Sequence, residues 1–215
     1  MKTITTLLFF TILCIACKAQ TPVSPLYSNV DYGNTEGTYY KDTFNDLNRF
    51  EGTWQYTNGN TAFKVVLQKK EMYHYESPIS THHYYEDLLI GEYKYVENGI
   101  EKVNTLNFLS NTYNNPFEHY LAGNGIQKYN PNVSGICIGC NPGDVQVRLI
   151  LREPNVDISG AYTTIYFKHY IENGVEKLEA EATLRGNPSY NINDPNPTFD
   201  KYSLPLDTTF ILTKQ

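Results

Sequence analysis

The chain has no surplus of positive charge, which limits the partners it can have. Its 215 residues include 17 Lys and Arg against 23 Asp and Glu, giving a formal net charge of −6. Proteins that bind nucleic acid need a basic surface, because contacts with phosphate supply much of the affinity. The charges are also interspersed, so there is no acidic tail or basic arm. The sequence therefore predicts no nucleic-acid partner.

Motifs for catalysis and cofactor binding are missing as well. The chain has no glycine-rich phosphate loop, no Gly-x-Ser-x-Gly elbow and no His-Glu-x-x-His pair. His82 and His83 are adjacent, and neighbouring residues of a strand point to opposite faces, so the two do not chelate together. Asp194, Asn196 and Asp200 lack the spacing of a calcium loop. We expect no metal, no cofactor and no enzymatic activity.

Two close pairs of acidic residues are the remaining candidates for acid–base chemistry. They are Glu86-Asp87 and Glu179 with Glu181. The second pair alternates with Leu178 and Ala180, a pattern that predicts the polar face of a strand.

Cysteine is scarce, and its positions suggest a structural use. Of the four cysteines, Cys137 and Cys140 form a Cys-x-x-Cys pair followed by Asn-Pro-Gly. A redox motif would place the first thiol at a helix N-terminus, and a zinc site would need two further ligands. Neither condition is met, so we predict a disulfide between Cys137 and Cys140 in an oxidising compartment.

Residues 1–19 have the features of a signal peptide. Lys2 gives a short positive start, and residues 4–15 form an uncharged apolar core too short to span a bilayer stably. Ile15-Ala16-Cys17 resembles the lipobox of bacterial lipoproteins, which implies cleavage after Ala16 and lipidation of Cys17. The alternative is ordinary cleavage after Ala19. The first predicts an outer-membrane or periplasmic lipoprotein, held to the membrane by its lipid anchor only, and the second a secreted protein.

The segment after the signal reads as a linker with a short cap. Proline and glycine interrupt residues 20–41, which predicts a flexible tether. Residues 42–47 predict one or two helical turns, with Asp42 or Thr43 as N-cap.

Strand patterning dominates the chain after Phe50. Apolar residues alternate with polar ones at period two, which places one set on an inner face. The inner set comprises Phe63, Val65, Leu67, Leu89, Tyr93, Tyr95, Val145, Val147, Leu149, Leu151, Ile165, Phe167, His169, Ile171, Leu178, Ala180, Ala182, Leu184, Phe210 and Leu212. These segments predict one all-β domain over residues 42–215, with about eight to ten antiparallel strands.

Turn signals separate the strands. Asn98-Gly99 and Asn173-Gly174 lie in nearly matching segments, and Asn-Gly favours a two-residue hairpin turn. Residues 110–143 and 186–200 are rich in Asn, Pro and Gly and predict long loops, the first containing a short strand around 119–122.

Tyrosine is abundant, with 19 residues. We identify the inward-facing Tyr93, Tyr95, Phe167 and His169 as the candidate lining of a pocket for a small, partly apolar ligand. The alternative use of so many tyrosines is in cross-strand ladders on solvated sheet faces.

The start of the first strand carries a family resemblance. Residues 46–54 (Asp-Leu-Asn-Arg-Phe-Glu-Gly-Thr-Trp) place a helical turn directly before Gly-x-Trp. This opening resembles that of the lipocalin and calycin barrels. With the N-terminal signal, the chain also resembles an uncharacterised family of small bacterial secreted proteins and lipoproteins.

The lipocalin resemblance implies a barrel with a plugged floor. It implies that Gly52 lets the chain turn into the floor, that Trp54 plugs it, and that a cation lies over the indole. Lys214 and Arg185 are the candidates for that cation. The long segment 110–143 and the absence of a clear helix after the barrel depart from the lipocalin pattern.

Two functional hypotheses follow for an exported, non-catalytic, lipocalin-like barrel. In the first, the barrel holds a small apolar ligand inside. In the second, the protein is an envelope or surface lipoprotein that contacts another envelope protein and has no ligand cavity.

Overall fold

The computed structural model describes residues 21–26, 32–76, 83–129, 137, 140–189 and 200–215. Cys17 and the rest of the predicted signal lie outside the described residues, as does His82. The strands are β1 Val23–Pro25, β2 Tyr39–Lys41, β3 Gly52–Asn58, β4 Thr61–Glu76, β5 His83–Glu97, β6 Ile100–Asn104, β7 Leu121–Lys128, β8 Val145–Leu151, β9 Ala161–Glu172, β10 Val175–Gly186 and β11 Thr209–Lys214. Three short 3-10 helices are η1 Asp46–Phe50, η2 Leu106–Ser110 and η3 Pro116–Glu118. In the part of the chain covered by these ranges, no helix is long and apolar enough to cross a membrane.

Eight of the strands close into an antiparallel barrel in the order β3-β4-β5-β7-β8-β9-β10-β11. The ring closes where β11 pairs with β3, with Lys214 opposite Trp54. The structure therefore confirms the prediction of an all-β, lipocalin-like barrel with a short helical turn in front of it.

Strand β5 organises the sheet. One edge pairs with β4 along its length. Its other edge meets three partners in turn: β2 at Tyr85, β7 at residues 89–91, and β6 from Lys94 onwards. The β4–β5 arm therefore continues past the barrel and carries β2 and β1 beside it.

The alternating pattern fills the interior of the barrel. Along β8, the four predicted inner residues are buried, while Gln146 and Arg148 lie between them on the outer face. An eight-stranded barrel is just wide enough for side chains to fill it. Ile171 is the exception to the predicted inner face, because it lies near the tip of the β9–β10 hairpin and is 65% exposed.

Both Asn-Gly turns form as predicted. Asn98 and Gly99 have φ of 52° and 81°, and Asn173 and Gly174 have φ of 53° and 77°. Positive φ at both central residues is what the two-residue hairpin requires.

The predicted tether differs from the structure at two places. Residues 23–25 and 39–41 form β1 and β2, which pair in parallel with each other, and β2 also pairs in parallel with β5. Tyr40 is fully buried, and the Tyr39 hydroxyl donates a 2.6 Å hydrogen bond to Asp87. The buried tyrosines attach this segment to the sheet.

Strand β7 is longer than the short strand predicted within residues 110–143. It has an irregular register between Ala122 and Gly125. Gly123 has φ of 151°, and a Cβ there would lie 3.3 Å from the Leu149 Cα. Because glycines stand where alternating side chains would be, the strand has no clear period in sequence.

The helical turn before the barrel is capped by a buried carboxylate. Asp42 accepts hydrogen bonds from the backbone N–H groups of Asp46 (2.9 Å) and Leu47 (2.8 Å). These contacts start η1 four residues later than the sequence pattern predicted, and η1 then packs against β4, β7 and β9.

Candidate functional site

The floor of the barrel is built from β3, β11 and η1. The Trp54 indole N–H donates a 2.8 Å hydrogen bond to the Phe50 carbonyl, and Lys214 Nζ lies 5.2 Å from the Trp54 ring centroid. Gly52 has φ of 119°, and a Cβ there would come within 3.4 Å of Lys214 Cε. Glycine at position 52 therefore permits the positive φ of the turn, and it leaves room for the Lys214 side chain to lie beside the backbone. Arg185, the other candidate cation, lies over Tyr166 instead, 5.6 Å from that ring's centroid.

His169 also belongs to the floor. Its ring lies edge-on to Trp54 and Phe50, with centroids 6.1 and 6.3 Å apart. Its Nε2 is buried without a hydrogen-bond partner among the described residues. Burial lowers the pKa of His169, so the neutral imidazole is favoured in this packed position.

The other three predicted pocket residues lie deeper in the barrel or near its opposite end. Phe167 is fully buried between β8 and β10. Tyr93 contacts Phe63 at 6.2 Å and Tyr95 contacts Phe210 at 6.2 Å, in centroid distances. The structure therefore spreads the four predicted residues through the packed interior, with His169 and Tyr95 at opposite ends.

A pocket of about 410 Å³ opens at the end of the barrel opposite the floor. Its lining consists of Tyr120, residues 150–158, residues 161–163, Leu184 and Tyr202. We call it the end pocket. It combines three tyrosine rings with aliphatic side chains and a few charged ones, a composition typical of small-molecule sites.

Hydrogen bonds fix the walls of the end pocket. The Arg152 N–H donates to the Tyr120 carbonyl at 2.8 Å, which joins two walls. The Tyr202 hydroxyl donates to the Leu151 carbonyl at 3.3 Å and brings the segment before β11 over the rim. The Tyr93 hydroxyl donates to the Arg152 carbonyl at 3.0 Å from inside the barrel.

Glu153 anchors the same segment. Its two carboxylate oxygens accept the Ser203 N–H at 3.0 and 2.9 Å, and Tyr93 Oη lies 3.4 Å from one of them. The neighbouring Arg152, in contrast to Glu153, has no ion pair to its guanidinium among the residues that the structure describes. The end pocket therefore contains one satisfied carboxylate and one cation available to a ligand.

The buried tyrosine hydroxyls around the pocket remain protonated. Burial raises the pKa of Tyr202 and of Tyr93, and nearby Glu153 adds to both shifts. Burial also raises the pKa of Tyr120, reinforced by Glu92. Each hydroxyl can donate a hydrogen bond at neutral pH.

A buried pair of Glu92 and His119 lies under the connection between β6 and β7. His119 Nδ1 lies 2.8 Å from Glu92 Oε1, which also accepts the Tyr120 N–H at 3.4 Å. Burial raises the pKa of Glu92 against the opposing effect of its hydrogen bonds. The two side chains are almost fully buried, so this pair anchors the connection and offers no access to a substrate.

The acid pair Glu86-Asp87 is buried on the β4–β5 arm. Glu86 accepts hydrogen bonds from Tyr32 and, at 2.7 Å, from Asn124, and burial raises its pKa. Asp87 accepts the backbone N–H groups of Asp42 and Met72, each at 2.9 Å. Both carboxylates hold surrounding loops. Glu179 and Glu181 lie on the outer face of β10, where Lys168 and Thr209 contact them.

Cys137 and Cys140 are joined by a disulfide, with Cα atoms 5.5 Å apart. Among the residues that the structure describes, no group of three or more His, Cys, Asp or Glu side chains is arranged to hold a metal ion.

Sequence reasoning missed the end pocket, although one signal for it was present. Arg152-Glu153-Pro154-Asn155 follows the clearest strand of the chain and combines charges with a turn. Binding residues lie disproportionately on loops that a rigid scaffold positions. The contribution of Tyr202 had no such signal, because it comes from a segment distant in sequence.

The chain matches a family of unknown function, DUF6705, over residues 1–215. It belongs to that family. The match spans the barrel, the end pocket and the predicted signal alike. No curated protein and no solved structure matches the chain.

Proposed function

We propose that this member of DUF6705 is an exported, non-catalytic protein that binds a small, partly apolar ligand in the end pocket. The supporting observation is the pocket itself, whose volume of about 410 Å³ falls in the range of small-molecule sites. The barrel interior is a less suitable site, because buried side chains fill it from the floor to the Phe63–Phe210 contact.

The composition of the end pocket suggests the shape of the ligand. Tyr120, Tyr162 and Tyr202 offer ring faces for an apolar body, and tyrosine contributes a large apolar area with a polar tip. Tyr162 is 56% exposed, so covering it would remove apolar surface from water. Arg152 offers a planar set of donors for one anionic or carbonyl group.

An anilinonaphthalene sulfonate dye tests this site, since it joins an aromatic body to one anionic group. The mature chain should enhance the dye's fluorescence, and Tyr162→Ala and Arg152→Ala should each weaken binding about tenfold. Tyr129→Ala and Arg148→Ala are matched controls, because both residues lie outside the end pocket. Equal affinity in all four variants would contradict the proposal.

The packed interior also favours a second candidate function, an envelope lipoprotein that acts through protein contacts. Ile171 is 65% exposed near the tip of the β9–β10 hairpin and offers an apolar point of contact. A photo-crosslinker at position 171 should then capture a defined envelope protein in cells, and one at position 148 should not. An identical pattern from both positions would argue against this candidate.

A further inference from the structure

We propose that the outer wall of the barrel carries a second binding site, which takes an acidic sugar. The site is a groove of about 340 Å³ over β3, β4, β5 and β6. Its lining consists of Gln55, Ala62, Lys64, Lys94, Val96, Asn104, Leu106 and Asn107. We call it the wall groove. It shares no lining residue with the end pocket and does not depend on it.

Strand register places the polar side chains of the groove in one row. Gln55 is opposite Lys64, Lys64 is opposite Lys94, and Lys94 is opposite Asn104. Residues directly opposite on one face of an antiparallel pair have Cβ atoms about 5 Å apart. A single small ligand can therefore contact several members of this row at once.

The two lysines make the row unusual. Like charges directly opposite each other destabilise a sheet, so a nearby anion stabilises an adjacent lysine pair. Glu101 pairs with Lys94 and also accepts a 3.3 Å hydrogen bond from Asn104. Lys64 has no ion pair among the residues that the structure describes. One positive charge is left for a ligand carboxylate.

The remaining lining determines the class of ligand. The Asn107 side chain makes no hydrogen bond within the described part of the chain, so its amide can bind hydroxyl groups as donor and acceptor. Gln55 uses one amide hydrogen on Thr57 and keeps its carbonyl oxygen for a donor. Ala62, Val96 and Leu106 provide an apolar floor. A carboxylate on a hydroxyl-bearing ring matches all three features.

Two-dimensional amide NMR of the mature chain tests the proposal with galacturonic acid as the probe and galactose as its neutral counterpart. At constant ionic strength, galacturonic acid should shift the signals of Lys64, Lys94 and Asn107, and galactose should bind at least tenfold more weakly. Lys64→Gln should weaken galacturonic acid binding about tenfold, the effect of losing one charged hydrogen bond.

The matched control is Lys102→Gln, because Lys102 lies on β6 outside the groove and pairs with Glu97. It should leave galacturonic acid binding unchanged, and an amide spectrum like that of the parent chain shows that each variant is folded. The proposal is overturned if galactose binds as well as the acid, if inorganic phosphate competes equally, or if the shifted signals lie elsewhere.

Discussion

Gly52, Trp54 and Lys214 form one unit at the floor of the barrel. The glycine turns the chain, the indole fills the end, and the lysine covers the ring. The lipocalin resemblance of Gly-x-Trp after a helical turn implied that Gly52 and Trp54 form the floor. The identity of the cation was not predictable, because it depends on which strand lies beside β3 when the barrel closes.

Trp54→Ala should lower the free energy of unfolding by about 3–5 kcal/mol, because it removes a fully buried aromatic side chain. Lys214→Ala should cost about 0.5–2 kcal/mol, because it removes a partly exposed cation–π contact and the ion pair with Glu176. Urea unfolding of both variants measures the difference. Tyr129→Ala serves as the surface control, and a Trp54 variant as stable as that control would contradict the packed floor.

His169 should make folding sensitive to mild acid. Burial holds the pKa of His169 below the ordinary value of 6.5. At a pH just under 6.5, His169 is therefore protonated in the unfolded chain and still neutral in the folded chain. The free energy of unfolding should therefore fall as the pH drops from 6.5 towards the pKa that His169 has in the folded protein. His169→Leu removes this contribution, and its unfolding free energy should fall less than that of the parent chain over that range. Parallel curves for the two proteins would show that His169 does not contribute.

At the scale of elements, the sequence predicted the strands with regular alternation and missed those defined by contacts. β8 and the two Asn-Gly hairpins carry their signal locally, in period and turn chemistry. β1 and β2 are three residues each and exist because β5 offers an unpaired edge. The end pocket was missed for the same reason, since distant segments assemble it.

Asp87 connects three elements that the sequence left separate. It accepts hydrogen bonds from the Tyr39 hydroxyl and from the N–H groups of Asp42 and Met72. Met72 has φ of 50° at an irregularity in β4, and its N–H is one of those bound. The buried Asp87 carboxylate therefore links β2, the segment that leads into η1, and the irregularity in β4.

Asp87→Ala should destabilise the fold by about 3 kcal/mol or more, because it leaves buried donors without an acceptor. The loss of stability in this variant should appear first as faster amide hydrogen exchange at Met72 and residues 39–42. Exchange near the end pocket should change less. Glu71→Ala is the control, since Glu71 is a largely exposed carboxylate on the same arm. Uniform exchange throughout the Asp87 variant would contradict a local role.

At the scale of the whole molecule, the predicted lipid anchor would determine how far the barrel lies from the membrane. If Cys17 is lipidated, it precedes Val23, the first strand residue, by only six positions. Six extended residues span at most about 20 Å, so the β1 edge would stay close to the membrane.

Metabolic labelling with a palmitate analogue should mark the protein in cells, and Cys17→Ser should abolish the label. Cys137→Ser is the control, because Cys137 belongs to the disulfide and should not affect lipidation. Label that persists in the Cys17 variant would refute the predicted anchor and favour simple secretion.

The pairing of β11 with β3 also sets a limit on when the protein can fold. The last strand of the chain supplies the partner for the first strand of the barrel, so the ring stays open until residues 209–214 are available. Contacts between such distant segments slow folding, because loop-closure entropy is lost before they form. A chain in which residues 209–214 have not yet been synthesised therefore keeps a strand edge and its apolar face uncovered, and pairing of β11 with β3 ends that exposure.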